Sequence, residues 1–330
     1  MNIPQTVEQA LELYLDEVGK SRARSTLTTY AYTIEKFKTT LIEHGASPAD
    51  TPLSALTNEW VQWFLDDLRV LEPTTERGYL AAVMGFYEYV VAKGWLELNL
   101  TEMRYFVKRR QRKLPEKAQR FPKQQIEKLL KALDEQAAGP FKDEREQLIT
   151  LRDRALLYLL ADSGLRVSEA CSLKRSQVDF LEMELFVVGK GNKEARVRLS
   201  GRAVARLQQY LQLRHRLDAT QAAPSPTADV PLLARHDKRA GRKILPLSPR
   251  SVQQLIERRV TQFLGTVHLH EITPHTFRHY FVTTILRSTG GDIEIAKKLA
   301  RHADISTTMR YAHLSDEALD QAYYEIFAKE

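Results

Sequence analysis

Four short segments of this 330-residue chain hold residues whose types and spacing suit chemistry on an anion. In Ser163-Gly164-Leu165-Arg166-Val167-Ser168-Glu169, a glycine breaks two helical stretches, and Arg166 opens the second with Glu169 one turn on to hold its guanidinium. Gly189-Lys190-Gly191-Asn192-Lys193 reads as a hairpin turn with Lys190 at its tip, and it lacks the spacing of a Walker loop. In Thr273-Pro274-His275-Thr276-Phe277-Arg278, Thr273 suits an N-cap and Pro274 the first helical position. His275 and Arg278 then share a face at the positive end of a helix, where free N–H groups and the macrodipole favour phosphate. Finally, in His302-Ala303-Asp304-Ile305-Ser306-Thr307-Thr308-Met309-Arg310-Tyr311, Ser306 can cap a short helix carrying Tyr311. Each segment alone also has a structural reading: a surface ion pair, a solvated turn, a helix cap, a half-buried tyrosine. His268, His270, His275 and His279 crowd together, but with Glu271 as their acidic neighbour and no cysteine they lack the partners of a zinc site. No metal is expected.

The elements that must position these residues follow from periodicity. Apolar residues recur at helical spacing over Val7–Val18 and from Thr26 to Leu41, and two more helices are predicted over Asn58–Val70 and Thr74–Lys93. Residues 107–122 mix basic groups with Pro115 and Pro122 and read as a linker. Beyond it the pattern is mixed. Helices are predicted over Lys123–Gln136, Leu148–Ser163, Arg202–Leu217, Pro249–Phe263, Pro274–Thr289, Ile293–Arg301 and from Thr307 onward. Short β-rich runs at Met183–Val188 and Ala195–Leu199 flank the Lys190 turn, and Ala222–Pro231 reads as a surface loop. The expected fold is an all-α bundle over 1–106, the linker 107–122, and a mainly helical α+β domain with a small antiparallel sheet over 123–330.

Composition narrows the partner. The net charge is +7, but residues 1–105 carry 15 acidic and 9 basic side chains, whereas 106–121 carry seven basic groups against Glu116. Lys108, Arg109, Arg110, Arg112 and Lys113 in that stretch are candidates for contact with a polyanion such as DNA, or are merely solvated. Cys171 is the only cysteine, which excludes an internal disulfide framework. With no signal-peptide pattern and no apolar run long enough for a bilayer, a cytoplasmic chain without membrane contact is expected.

Taken in order, Arg166, Lys190, His275-x-x-Arg278, His302 and Tyr311 resemble the catalytic set of the tyrosine recombinase (lambda-integrase) family. Ser163–Glu169, Gly189–Glu194, Pro274–His279 and Asp304–Thr308 are especially similar to Xer-type members and related integrases. One departure is visible: Leu299-Ala300-Arg301-His302 stands where the family usually shows Leu-Gly-His, so Ala300 and Arg301 can alter the local turn or add a phosphate contact.

What the resemblance implies agrees with the chemistry. Attack on a phosphodiester builds charge on its equatorial oxygens, so catalysis is positioning plus electrostatic stabilisation. Arg166 and Arg278 are the natural clamp, since a guanidinium offers planar paired donors, and His302 can add a hydrogen bond. Tyr311, with a reference pKa of about 10, needs a base, for which His275 is the candidate; Lys190 is the candidate acid for the leaving 5′ oxygen. The family further implies a 3′-phosphotyrosyl link that needs neither metal nor nucleotide cofactor. It also implies strand exchange through a Holliday junction in a homotetramer on double-stranded DNA, formed by a chain that is a monomer or weak oligomer alone and can work with a partner recombinase. Xer-like dimer resolution and mobile-element integration both fit, and the two-domain plan leans toward the former. Two other readings are a type IB topoisomerase-like nicking-resealing enzyme and a catalytically silent DNA-binding protein. The apolar stripe Leu314–Phe327 could fold back on its own domain or dock on a neighbour.

Overall fold

The computed structural model describes residues 3–112, 121–188, 194–220 (backbone alone at 217–220), 230–237, 243–302, 304, 305, 308 and 309. Lys113, Lys190, Tyr311, the Ser306 cap, the stripe at Leu314–Phe327 and all of the 222–231 loop except its last two residues lie outside them. The chain divides into two compact units, Met1–Ala118 and Gln119–Glu330, each with its own core.

Among its described residues the first unit is a bundle of five α-helices: α1 (Val7–Ser21), α2 (Arg24–Glu43), α3 (Glu59–Asp67), α4 (Pro73–Ala92) and α5 (Leu100–Arg110). The stripes seen in the sequence turn inward, so that Leu11, Phe37, Phe64, Phe86 and Tyr87 are fully buried. Tyr14 crosses to α4 and donates to the Ala82 carbonyl at 3.0 Å. Helix α5 corrects the sequence reading. Asn99 caps it, accepting from the Glu102 N–H at 3.0 Å, and the helix continues through Lys108, Arg109 and Arg110, the first part of the stretch read as irregular. Only Met103 is fully buried on it, so its charge-rich remainder hides the period.

The second unit is built around α7 (Glu144–Ser163), which is buried on nearly all sides from Leu148 to Ser163. Helices α6 (Lys123–Ala137), α9 (Gly201–Thr220) and α11 (Pro274–Ser288) pack on it; α8 (Val167–Ser172), α10 (Pro249–Leu264) and α12 (Ile293–Ala300) complete the helical set among the described residues. A three-stranded antiparallel sheet, β1 (Val178–Asp179), β2 (Glu184–Val188) and β3 (Glu194–Arg198), pairs in the order β1-β2-β3. Its register sets Leu185 opposite Val197 and Val188 opposite Glu194. Alternation then sends Leu185, Val187 and Val197 into the core and Glu184, Phe186 and Val188 outward. Mostly helical with this small sheet, the chain has the fold class expected from its sequence.

Being surrounded, α7 has no polar face on which to place Arg152, Asp153 and Arg154, and all three are buried. Asp153 accepts from Arg152 Nη2 at 2.6 Å and from Arg259 Nε, on α10, at 2.9 Å. This closed group ties α7 to α10. No helix among the described residues is long and apolar enough to cross a membrane.

Candidate active site

Three helix ends of the second unit build the site. The first is the break between α7 and α8. Gly164 ends α7 in the left-handed conformation, at φ 60°, and a Cβ there would collide with the Phe281 ring; only glycine satisfies both demands. Two residues later Arg166 caps α8. Its backbone N–H donates to Glu169 Oε2 at 2.9 Å and its Nη1 to Oε1 at 2.9 Å, while half of its side-chain surface stays open.

The second is the start of α11. Thr273 and Thr276 form the expected capping box, with Pro274 in the first turn. This brings His275 to the exposed end of the helix and turns Arg278 inward, where it is 4% exposed. Arg278 donates from Nη1 to the Gly164 carbonyl and from Nη2 to the Ala300 carbonyl. Two of its donors thus pin the C-terminal ends of α7 and α12 to the first turns of α11.

The third is the turn after α12. Arg301 takes a left-handed backbone, φ 57° and ψ 44°, and the N–H groups of Arg301 and His302 fold back to Lys298 and Lys297 carbonyls. That delivers His302 into a buried position, its Nδ1 sharing a 2.8 Å hydrogen bond with Thr308 Oγ1.

Electrostatics reports the same convergence. Loss of water around His275, together with the Arg278 and Arg166 charges, holds its imidazole below the usual value. Burial, with Arg278, Arg166 and His275, lowers His302 to about 4. Near pH 7 both rings are therefore neutral in the free protein, and a neutral His275 can accept a proton.

Four of the six residues singled out for chemistry, Arg166, His275, Arg278 and His302, are thus brought together from segments far apart in sequence. Lys190 and Tyr311 lie outside the described residues. Three further residues make contacts in the site that the sequence does not foresee. Thr308 orients His302. His279 lies edge-on to His275 at 4.4 Å between ring centres and is lowered to about 4 by burial, with His275, His302 and Arg278 adding to it; its spacing of four from His275 was the available signal. Arg301 sends Nη2 to Glu169 Oε2 at 2.9 Å. Among the described residues no three metal-ligating side chains cluster.

The basic candidates of the first unit fare differently from one another. Lys108, Arg109 and Arg110 are exposed on the last turn of α5. Arg112 instead donates from Nε to Glu76 at 2.8 Å and from Nη2 to the Leu71 carbonyl, and Glu76 is 1% exposed. Its charge closes a buried carboxylate within the bundle.

Comparison with known proteins adds the family. Residues 119–318 match the model of the phage integrase family. Tyrosine recombinase XerC of Pelobacter propionicus is 33% identical over 74% of this chain and 70% of its own length. Tyrosine recombinase XerD of Caulobacter vibrioides is 31% identical over 92% of this chain and 90% of its own. Among solved structures, XerH site-specific recombinase bound to palindromic difH substrate in a post-cleavage complex covers 96% of this chain and 84% of its own at a TM-score of 0.67 and 17% identity. A lambda integrase dimer bound to a core site covers 93% and 95% at a TM-score of 0.59 and 15% identity. The fold is theirs. With the matched family model and these relatives, the chain belongs to the phage integrase family and is a site-specific tyrosine recombinase that acts on DNA.

Proposed function

We propose that Tyr311 attacks the scissile phosphate to form a 3′-phosphotyrosyl link, within a site whose remaining parts are Arg166, Lys190, His275, Arg278 and His302. The observation that carries this reading is the convergence of Arg166, His275, Arg278 and His302 on three helix ends tied by Arg278 to Gly164 and Ala300. Arg166, half open and anchored by Glu169, meets the equatorial oxygens; Arg278 adds a second guanidinium charge from its fixed, buried position. His302 offers its other ring nitrogen to the same phosphate. His275, neutral near pH 7, takes the tyrosine proton, and Lys190 protonates the leaving 5′ oxygen. The reverse step, with a 5′ hydroxyl as nucleophile, returns both protons and frees Tyr311. No metal or nucleotide takes part, so cleavage proceeds in excess EDTA.

The exposed Lys108, Arg109 and Arg110 run along the DNA backbone and contribute affinity without sequence preference, with Lys113 beyond them. Four copies act on two duplexes and exchange strands in pairs through a Holliday junction, with or without a partner recombinase. Similarity to XerD over nearly the whole of both chains supports Xer-like recombination in the cytoplasm.

The division of labour is tested with DNA whose bridging 5′ oxygen at the cleaved bond is sulfur, a leaving group that needs no proton. General acid help is worth about 10²–10⁴ in rate. Lys190→Ala therefore cleaves ordinary DNA slowly and the sulfur substrate at close to the wild-type rate, whereas Arg166→Ala stays defective on both. Failure of sulfur to rescue Lys190→Ala removes Lys190 as the acid.

A further inference from the structure

Only two described residues other than glycine have a left-handed backbone, and one of them, Arg301, immediately precedes His302. Glycine adopts this conformation freely, whereas a residue with a Cβ is strained in it. The turn itself needs no side chain, since backbone N–H groups close it. What the arginine adds lies across the site. Its guanidinium, 15% exposed, reaches Glu169, which stands 132 positions earlier and is 7% exposed. Glu169 divides its oxygens: Oε1 accepts from the Arg166 guanidinium, and Oε2 accepts from the Arg166 backbone N–H and from Arg301. Burial alone would raise this carboxyl, yet the Arg166 N–H and the Arg301 guanidinium outweigh it and hold it below its usual range.

Two consequences follow from this geometry. Arg301 occupies Oε2, which fixes the carboxylate plane and presents Oε1 to Arg166. It also supplies a second positive charge to one carboxylate, so the three groups carry a net positive charge that Arg166 and Glu169 alone would cancel. We propose that Arg301 is a positioning residue for strand cleavage, acting through Glu169 to set the guanidinium of Arg166 and preserve its pull on the phosphate. The inference rests on the reading above in which Arg166 clamps the scissile phosphate.

The test uses a duplex selected for binding by the wild-type full-length chain from a random-sequence pool. It is prepared with either an ordinary phosphodiester or an uncharged methylphosphonate at the cleaved position. The readout is the ratio of the two cleavage rates, which is independent of how much of each variant is folded. A neutral phosphonate builds less charge and needs the clamp less. Arg301→Gly, which keeps the turn unstrained, lowers the preference for the phosphodiester by about 10-fold or more, as expected for a misplaced catalytic group. Arg166→Ala lowers it further, and Arg301→Lys, which keeps the charge, restores part of it. An unchanged ratio in Arg301→Gly, with the ratio collapsed in Arg166→Ala, overturns the role of Arg301 and leaves the clamp intact. An unchanged ratio in Arg166→Ala overturns the clamp and the inference together.

Discussion

Among the described residues of the second unit, one arrangement of charges occurs at two buried carboxylates. In one, Asp153 lies between Arg152 and Arg259, with side chains 2%, 6% and 11% exposed. In the other, Glu169 lies between Arg166 and Arg301, at 7%, 50% and 15%. Both carboxylates are buried and both are held by two guanidiniums. They differ in exposure: no guanidinium of the first is more than 11% exposed, whereas Arg166 in the second is half open. A closed group gives all its charge to the fold, and an open one has a guanidinium surface left for a ligand. Residue type does not separate the two, and local sequence hardly does.

That contrast predicts opposite outcomes for equivalent substitutions. Asp153→Asn strands two buried guanidiniums and destabilises by roughly 3–5 kcal/mol, the usual cost of breaking a buried pair. For a unit of this size it lowers the melting temperature by on the order of 10 °C. Once folded at low temperature, the variant cleaves DNA normally. A melting temperature within 2 °C of wild type (roughly what ~1 kcal/mol produces) would place the Asp153 group outside the fold's essential contacts. Arg166→Ala does the reverse. Arg166 is half open, and its removal leaves the buried Glu169 still paired with Arg301, so thermal unfolding moves far less than in Asp153→Asn, while cleavage falls by at least ~10² for loss of a charge-stabilising donor.

A smaller effect separates the two regions by pH. His279 and His302 beside the open group stay neutral in the folded protein down to about pH 4, whereas in the unfolded chain they take up a proton near pH 6.5. Between those values the unfolded state binds more protons, so stability falls as pH drops from about 6.5 toward 4. It is unchanged above neutrality. Proton NMR of the imidazoles checks this directly, with the two resonances expected to titrate near 4; midpoints near 6.5 would mean that these rings are solvated.

In the first unit the comparison is between Arg112 and its neighbours. Replacing Lys108, Arg109 and Arg110 with glutamine lowers the slope of log affinity against log salt by up to ~0.9 for each phosphate they neutralise and leaves melting unaffected. Arg112→Gln lowers the melting temperature because Glu76 loses its partner. Equal effects of both sets on the salt slope would make Arg112 a DNA-binding residue instead.

These cases show what sequence could and could not supply. Spacing alone placed His275 and Arg278 at a helix start, because Thr273 and Pro274 mark one locally, and Gly164 announced the break before Arg166. The α5 helix was missed because one buried residue, Met103, leaves little period among so many charges. Arg301 was noticed as a departure from Leu-Gly-His, but its partner was beyond reach: an ion pair spanning 132 positions has no local signature. Arg112 sat in a basic run, and nothing nearby told that Glu76 was buried and in need of it.

The site serves one hydroxyl, that of Tyr311, and covalent trapping tests this most directly. DNA nicked near the cleavage position loses the short strand carrying the 5′ hydroxyl, so the joined product cannot revert. The trapped complex should survive denaturation, and peptide mapping should place the nucleotide on Tyr311. Tyr311→Phe should bind DNA as before and yield no complex. A denaturation-resistant complex in that variant, or nucleotide mapped to any other residue, would contradict the account.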